Sequence, residues 1–173
     1  TPVIRQHWRL ADRIKELLPE TRVVLMGDHV TALPEETLQH CRADYILTGG
    51  DFDFLLLNLA NHLRDGQPLE PGWYYRHEGA IVNTGRFQLN HDLNALPFID
   101  RTLTHAHLYG EKWKKRTPFF YMMEGRDCPW GKCTFCAWTT LYPKFRTMSI
   151  ERTLDEIGFL IEKHGAREIF DDS

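Results

Sequence analysis

Apolar residues at Ile4, Trp8, Ala11, Ile14, Leu17 and Leu18 recur at the spacing that gathers one stripe along a helix, and Pro19 stops it. The spacing predicts a helix over about residues 3–18. Arg22-Val23-Val24-Leu25-Met26 lacks that period; a short β-branched and apolar run ending at Gly27-Asp28 reads as a buried strand. A loop over Gly27–Leu33 then reaches Pro34, which suits a first helical position because its missing N–H would be unpaired there anyway. A short helix through Leu38 follows, and Tyr45-Ile46-Leu47 repeats the buried-strand pattern up to Thr48-Gly49-Gly50. Asp51 is placed to cap a helix carrying Phe54, Leu55, Leu57, Leu59 and Leu63, closed by Gly66. This order predicts an α/β fold, a parallel sheet covered by helices, with ligand-binding loops at the carboxyl ends of the strands. Two strands bury little surface, so further strands are expected upstream of Thr1, residues 1–70 being the C-terminal half of a doubly wound, Rossmann-like domain.

Trp73-Tyr74-Tyr75-Arg76 and Ala80-Ile81-Val82-Asn83 read as a hairpin turning at His77-Glu78-Gly79, with Gly79 supplying positive φ. Periodicity fades from Thr84 to Pro118, so residues 71–117 are expected to be hairpin and linker. Phe119-Phe120-Tyr121-Met122-Met123 is the next buried strand. Ser149 can cap a helix with Ile150, Leu154, Ile157, Leu160 and Ile161 on one face, ended by Gly165, and Glu168-Ile169-Phe170 starts another strand. Residues 118–173 are thus expected to make one βαβ unit opening a parallel architecture, of the kind that begins a TIM-type barrel and is here partial, and the chain is expected to end mid-fold.

Composition narrows the classes. The chain has 173 residues, 42% hydrophobic and 26% charged, which suits one domain or two small ones and excludes a disordered or collagen-like chain. A net charge of −3 supplies no bulk positive field for nucleic acid or an anionic membrane. No apolar run approaches the ~20 residues of a membrane span, and the N-terminus lacks the succession of a signal peptide, so a cytoplasmic protein is expected.

The cysteines change the picture. Cys128, Cys133 and Cys136 lie in one short segment, Gly125-Arg126-Asp127-Cys128-Pro129-Trp130-Gly131-Lys132-Cys133-Thr134-Phe135-Cys136, with C-x4-C-x2-C spacing. Cys41 is far upstream in an apolar region, where it reads as a buried inert thiol. Without a secretory signal, such a cluster reads as metal binding before cross-linking. Soft thiolates select zinc or an iron–sulfur cluster, each normally wanting four ligands. No second C-x2-C or H-x3-H follows, so the residues leave open three core thiols, a zinc site, or a three-cysteine cluster with one open iron. The open iron would be the functional point, because it can chelate a substrate or cofactor.

This loop resembles the cluster-binding signature of the radical S-adenosylmethionine (SAM) enzymes, C-x3-C-x2-C with an aromatic residue before the last cysteine, here Phe135. The first gap is longer by one residue, Gly131 or Lys132 acting as an insertion. The upstream half resembles the cobalamin-binding domain that precedes the radical SAM domain in one large class. Val23–Glu36 is similar to that class's strand, G-G-x-H-x-(T/S) loop and P-E-E helix start; Ala43–Gly50 is similar to its D-Y-(V/I)-V-x-G-E strand and loop; Asp92–Phe98 resembles its D-L-D-x-L-P linker. The D-x-H-x-x-G cobalamin motif does not occur in these residues; it either precedes Thr1 or is lacking.

The resemblance implies that Cys128, Cys133 and Cys136 hold a 4Fe-4S cluster whose fourth iron binds the amino and carboxylate groups of SAM. It implies reductive cleavage of SAM to a 5'-deoxyadenosyl radical, with cobalamin-dependent methyl transfer or another radical modification to follow. Phe135 would pack near the adenine, Asp171 and Asp172 would face the SAM ammonium, and Gly27, His29, Gly49 and Gly50 would take the nucleotide tail of cobalamin. The partners implied are a small-molecule substrate and an electron donor such as flavodoxin or ferredoxin, with no nucleic acid and no membrane. The competing reading is a non-catalytic binding module stabilised by zinc or a cluster; a third is a pseudoenzyme whose truncated barrel binds the cluster alone. On the first reading the 173-residue piece by itself is expected to be inactive.

Overall fold

The computed structural model describes residues 2–126 and 128–173. They form two compact units, one from the residues up to His91 together with Gly131–Pro143, the other from Asp92–Trp130 together with Lys144–Ser173.

The first unit runs α1 (Ile4–Leu17), β1 (Val24–Met26), α2 (Asp28–Ala32), α3 (Pro34–His40), β2 (Tyr45–Leu47), α4 (Phe52–Asp65), β3 (Trp73–His77) and β4 (Ala80–Asn83), with α5 (Trp138–Leu141) joining from later in the chain. β1 and β2 pair in parallel, as the pattern predicted, with Leu25 beside Ile46. The all-parallel expectation needs correcting, because the hairpin placed in a connecting segment continues this sheet. β3 lies antiparallel on β2, Ile46 opposite Tyr74 and Leu47 opposite Trp73, and the order is β1-β2-β3-β4.

The physical reason is the double burial of β2. Ile46 packs into a cluster with Trp8, Ala11, Val30 and Leu38 from the α1 and α3 side, while Leu47 packs with Leu55, Leu59 and Trp73 on the α4 side. Successive residues face opposite sides of a sheet, so a strand covered on both faces is apolar throughout and needs a neighbour on each edge. Glu78 and Gly79 both take positive φ, 50° and 80°, in the two-residue turn that matches the twist of a hairpin.

Two local expectations change. The segment Gly27–Leu33 is not an irregular loop: Gly27, at φ 117°, turns the chain into the single helical turn of α2, with Thr31 N–H on the Gly27 carbonyl at 3.0 Å. Asp51 does not cap α4 through its side chain, which is fully buried and faces His91 instead.

In the second unit, β5 (Phe119–Met122) and β8 (Glu168–Asp171) pair in parallel, Phe120 beside Ile169, across α6 (Ile150–His164). Ser149 accepts a hydrogen bond from Arg152 N–H and Gly165 ends α6 in the left-handed region, the predicted caps. Phe120, Met122 and Leu160 form the core between strand and helix. A small antiparallel ladder, β6 (Gly125–Arg126) with β7 (Arg146–Thr147), was not legible in the sequence. The linker element docks on the start of α6: Ser149 N–H donates to Asn94 Oδ1 at 2.7 Å, and Arg152 Nη2 to the Leu96 carbonyl at 2.8 Å. No helix among the described residues is long and apolar enough to cross a membrane.

Candidate functional site

The cysteine loop leaves the carboxyl end of β5, and its root is pinned. β6 and β7 pair across it, Gly125 opposite Thr147 and Arg126 opposite Arg146, and Met148 N–H donates to the Glu124 carbonyl at 2.8 Å. The end of β8 is stitched to the same place. Asp172 N–H donates to the Met122 carbonyl at 3.0 Å, Glu124 N–H to Asp171 Oδ1 at 3.4 Å, and Gly125 N–H to Ser173 Oγ at 2.9 Å. Ser173 in turn donates its hydroxyl to Asp171 Oδ1 at 2.7 Å. Asp171 and Asp172, both exposed, therefore stand at the root of the loop, as a parallel βαβ unit requires of residues ending neighbouring strands.

The three loop cysteines are outside any disulfide, Cys128 and Cys133 exposed and Cys136 half-buried. Cys128 belongs to the second unit, whereas Cys133 and Cys136 belong to the first. Cys136 N–H donates to the Cys133 carbonyl at 3.3 Å, closing the C-x2-C turn, and Phe135 between them is 89% exposed. As a donor set these residues fit an iron–sulfur cluster, being three thiols free of any disulfide on one reachable loop. Among the described residues no three His, Cys, Asp or Glu side chains are grouped to hold one metal ion. Cys41 is buried, its Sγ–H donates to the Thr37 carbonyl, and burial pushes its thiol up from its ordinary value, the state of an inert core cysteine.

At the strand ends of the first unit, the structure brings β1's loop to β2's: Gly49 N–H donates to Thr31 Oγ1 at 3.1 Å. Gly27 has open space where a Cβ would stand. His29 is largely buried, its ring edge-on to Trp8 at 5.9 Å and its Nε2 3.8 Å from Glu36. The close approach that Gly49 and Gly50 permit is taken by the chain itself, since an added Cβ would run into the Phe87 ring at Gly49 and the Tyr142 ring at Gly50. By that test these two glycines do not offer a cradle for a cofactor tail.

A third feature, centred on His91, leaves no local signal in the sequence. His91 bridges two carboxylates, Nδ1 2.9 Å from Asp51 Oδ2 and Nε2 3.0 Å from Glu70 Oε2, with its ring stacked on Phe54 at 4.4 Å. No spacing rule joins residues 40 positions apart in a segment without periodicity.

No protein-family model matches the chain. Over 98% of its length it is 27% identical to a protein of Pyrococcus horikoshii named as an uncharacterized methyltransferase, and it spans 37% of that protein. Among solved structures it is similar in fold to the radical S-adenosylmethionine methyltransferase TsrM from Kitasatospora setae. One TsrM structure, with tryptophan substrate and the SAM analogue aza-SAM bound, superposes with a TM-score of 0.61 and 16% identity over 98% of this chain and 33% of that one. Another, with cobalamin and a [4Fe-4S] cluster bound, gives 0.63 and 15% over 99% and 34%. The chain thus spans about a third of each relative's length, and at this identity the structural likeness is one of fold.

Proposed function

We propose that this chain is the cluster- and SAM-binding part of a radical SAM methyltransferase. The carrying observation is the C-x4-C-x2-C loop at the carboxyl end of β5, with Asp171 of the neighbouring parallel strand hydrogen-bonded to the loop's root. The similarity to a named methyltransferase over 98% of the chain, and the fold shared with TsrM, support the same reading.

Cys128, Cys133 and Cys136 would supply the thiolates of a 4Fe-4S cluster. When bound, that cluster supplies the electron that opens the sulfonium of SAM. Asp171 and Asp172 would offer carboxylates to the SAM ammonium, a charge-assisted contact. Phe135, its ring free in solvent, would cover the adenine and exclude water from the reacting end. The reading requires a one-electron donor of the flavodoxin or ferredoxin kind and a small-molecule substrate. Gly49 and Gly50 do not fit the nucleotide tail of cobalamin, because the rings of Phe87 and Tyr142 fill the space beside them.

Anaerobic reconstitution of the chain with iron and sulfide tests this. The expected result is about four irons per chain, an iron–sulfur absorbance lost when Cys128, Cys133 or Cys136 is replaced by serine but kept in Cys41→Ser, and a paramagnetic signal of the reduced cluster that changes on adding SAM. Stoichiometric zinc with no response to SAM would replace this reading with that of a metal-stabilised binding module.

A further inference from the structure

The limb Gly131–Pro143 carries Cys133 and Cys136, yet it folds with the first unit rather than with the strand that leads into the loop. What holds it there is local and specific. Tyr142, 6% exposed, donates its hydroxyl to the Gly50 carbonyl at 2.8 Å, and its ring fills the place a side chain at Gly50 would need. Leu141 and Tyr142 join Leu89 in a small apolar core against Phe52 and Phe87. Between Cys136 and Tyr142 the chain is the single turn of α5, braced by Thr140 N–H on the Ala137 carbonyl and Tyr142 N–H on the Trp138 carbonyl, and α5 rests on α2. Thr139 Oγ1 ties the cysteine turn to this helix through the Cys136 carbonyl at 3.4 Å.

We infer that Tyr142 is a positioning residue. Its latch on Gly50 seats the limb on the carboxyl end of β2, so that the α/β unit sets where Cys133 and Cys136 stand before any metal binds. The glycine at position 50 is then needed for an aromatic ring of the same chain, not for a ligand. A hydrogen bond from a buried phenol to a buried carbonyl gives this seat one orientation, because leaving either group unpaired is costly. The consequence for the cluster rests on the function proposed above; the latch itself does not.

The four cysteines are built-in reporters. The metal-free chain is alkylated with iodoacetamide and each cysteine's rate read by peptide mass spectrometry, for the parent chain and for Tyr142→Phe, Tyr142→Ala and Gly50→Ala. Cys136 is expected to react on the order of tenfold faster in Tyr142→Ala and Gly50→Ala, the change that about 1.4 kcal/mol of lost docking produces. In Tyr142→Phe, which keeps the ring, the increase is smaller. Cys128, on the other unit, keeps its rate, and Cys41 in the core stays protected. Unchanged Cys136 rates in both disruptive variants would overturn the latch. So would a parallel rise at Cys41, which would mean that the pair merely sustains the fold. Iron uptake is then measured on the same proteins, and a lower yield in Gly50→Ala than in the parent is expected. If the parent itself takes up no iron, the cluster reading fails while the alkylation result still decides the latch.

Discussion

Truncating His91 to alanine tests whether the strap that follows β4 is clamped by charge. Its imidazole lies 2.9 Å from Asp51, whose side chain is fully buried, and 3.0 Å from Glu70, whose side chain is 43% exposed. Losing a hydrogen bond to a charged group that water cannot reach costs about 1.5–3 kcal/mol. The half-exposed Glu70 contact adds roughly 0–1 kcal/mol, and the stack on Phe54 about 0.5–1.5 kcal/mol. Taking the lower end of each range gives about 2 kcal/mol for His91→Ala, a drop in melting temperature of roughly 4–8 °C for a chain of this size. Calorimetry and guanidinium melts measure it, and a double-mutant cycle with Asp51→Asn isolates the charged contact. In the Asp51→Asn background the neutral amide costs less to leave short of a partner, so the same truncation should cost less there. A loss within about 0.5 kcal/mol, the range of an ordinary surface substitution, would refute the clamp. Equal losses in both backgrounds would show that packing, not the carboxylate, carries the effect.

Asp44 gives the acid limb of stability. Burial alone raises its carboxyl, but the Val23 N–H at 2.8 Å and the Lys15 and Arg22 side chains at 3.2 Å outweigh it and hold the group below its usual value. A depressed folded value contributes stability above the unfolded value of about 3.9 and loses it as pH falls through the folded one. Asp44→Asn should therefore be less stable than the parent at pH 7, with the gap closing below about pH 4; a gap that persists into stronger acid contradicts the assignment. In the second unit, Leu160 is 1% exposed against Phe120 and Met122. Leu160→Ala should cost about 2–5 kcal/mol in a urea melt, and a loss under about 1 kcal/mol would mean that α6 does not depend on this core.

Helices α1, α3, α4 and α6 were legible because their signals are local. The stripe of Ile4, Trp8, Ala11 and Ile14, the Ser149 cap and the glycines at 66 and 165 each lie within a turn or two of what they control. The βαβ unit followed for the same reason, from a strand, a capped helix and a strand in sequence. The sheet order did not follow. A run such as Tyr45-Ile46-Leu47 says that both faces are covered but not which strand lies beside it, and Trp73 became the neighbour by a pairing decided only in three dimensions. The β6–β7 ladder is two residues per strand with nineteen residues between, too short to leave a period.

The candidate site divides along the same line. Three cysteines in nine residues announce their chemistry because ligand spacing is written along the chain, and Asp171 reached the root of the loop because it ends a strand parallel to the one the loop leaves. Gly49 and Gly50 announce only that something comes close. A bare Cα admits a ligand and an aromatic ring equally well, and the residue that decides, Tyr142, lies 92 positions later, beyond any local signal. A glycine pair at a strand end is thus evidence for a binding loop only after the chain's own rings have been placed. Here they have been: a side chain added at Gly50 meets Tyr142 first, so Gly50→Ala should move the cysteine limb before it touches any cofactor.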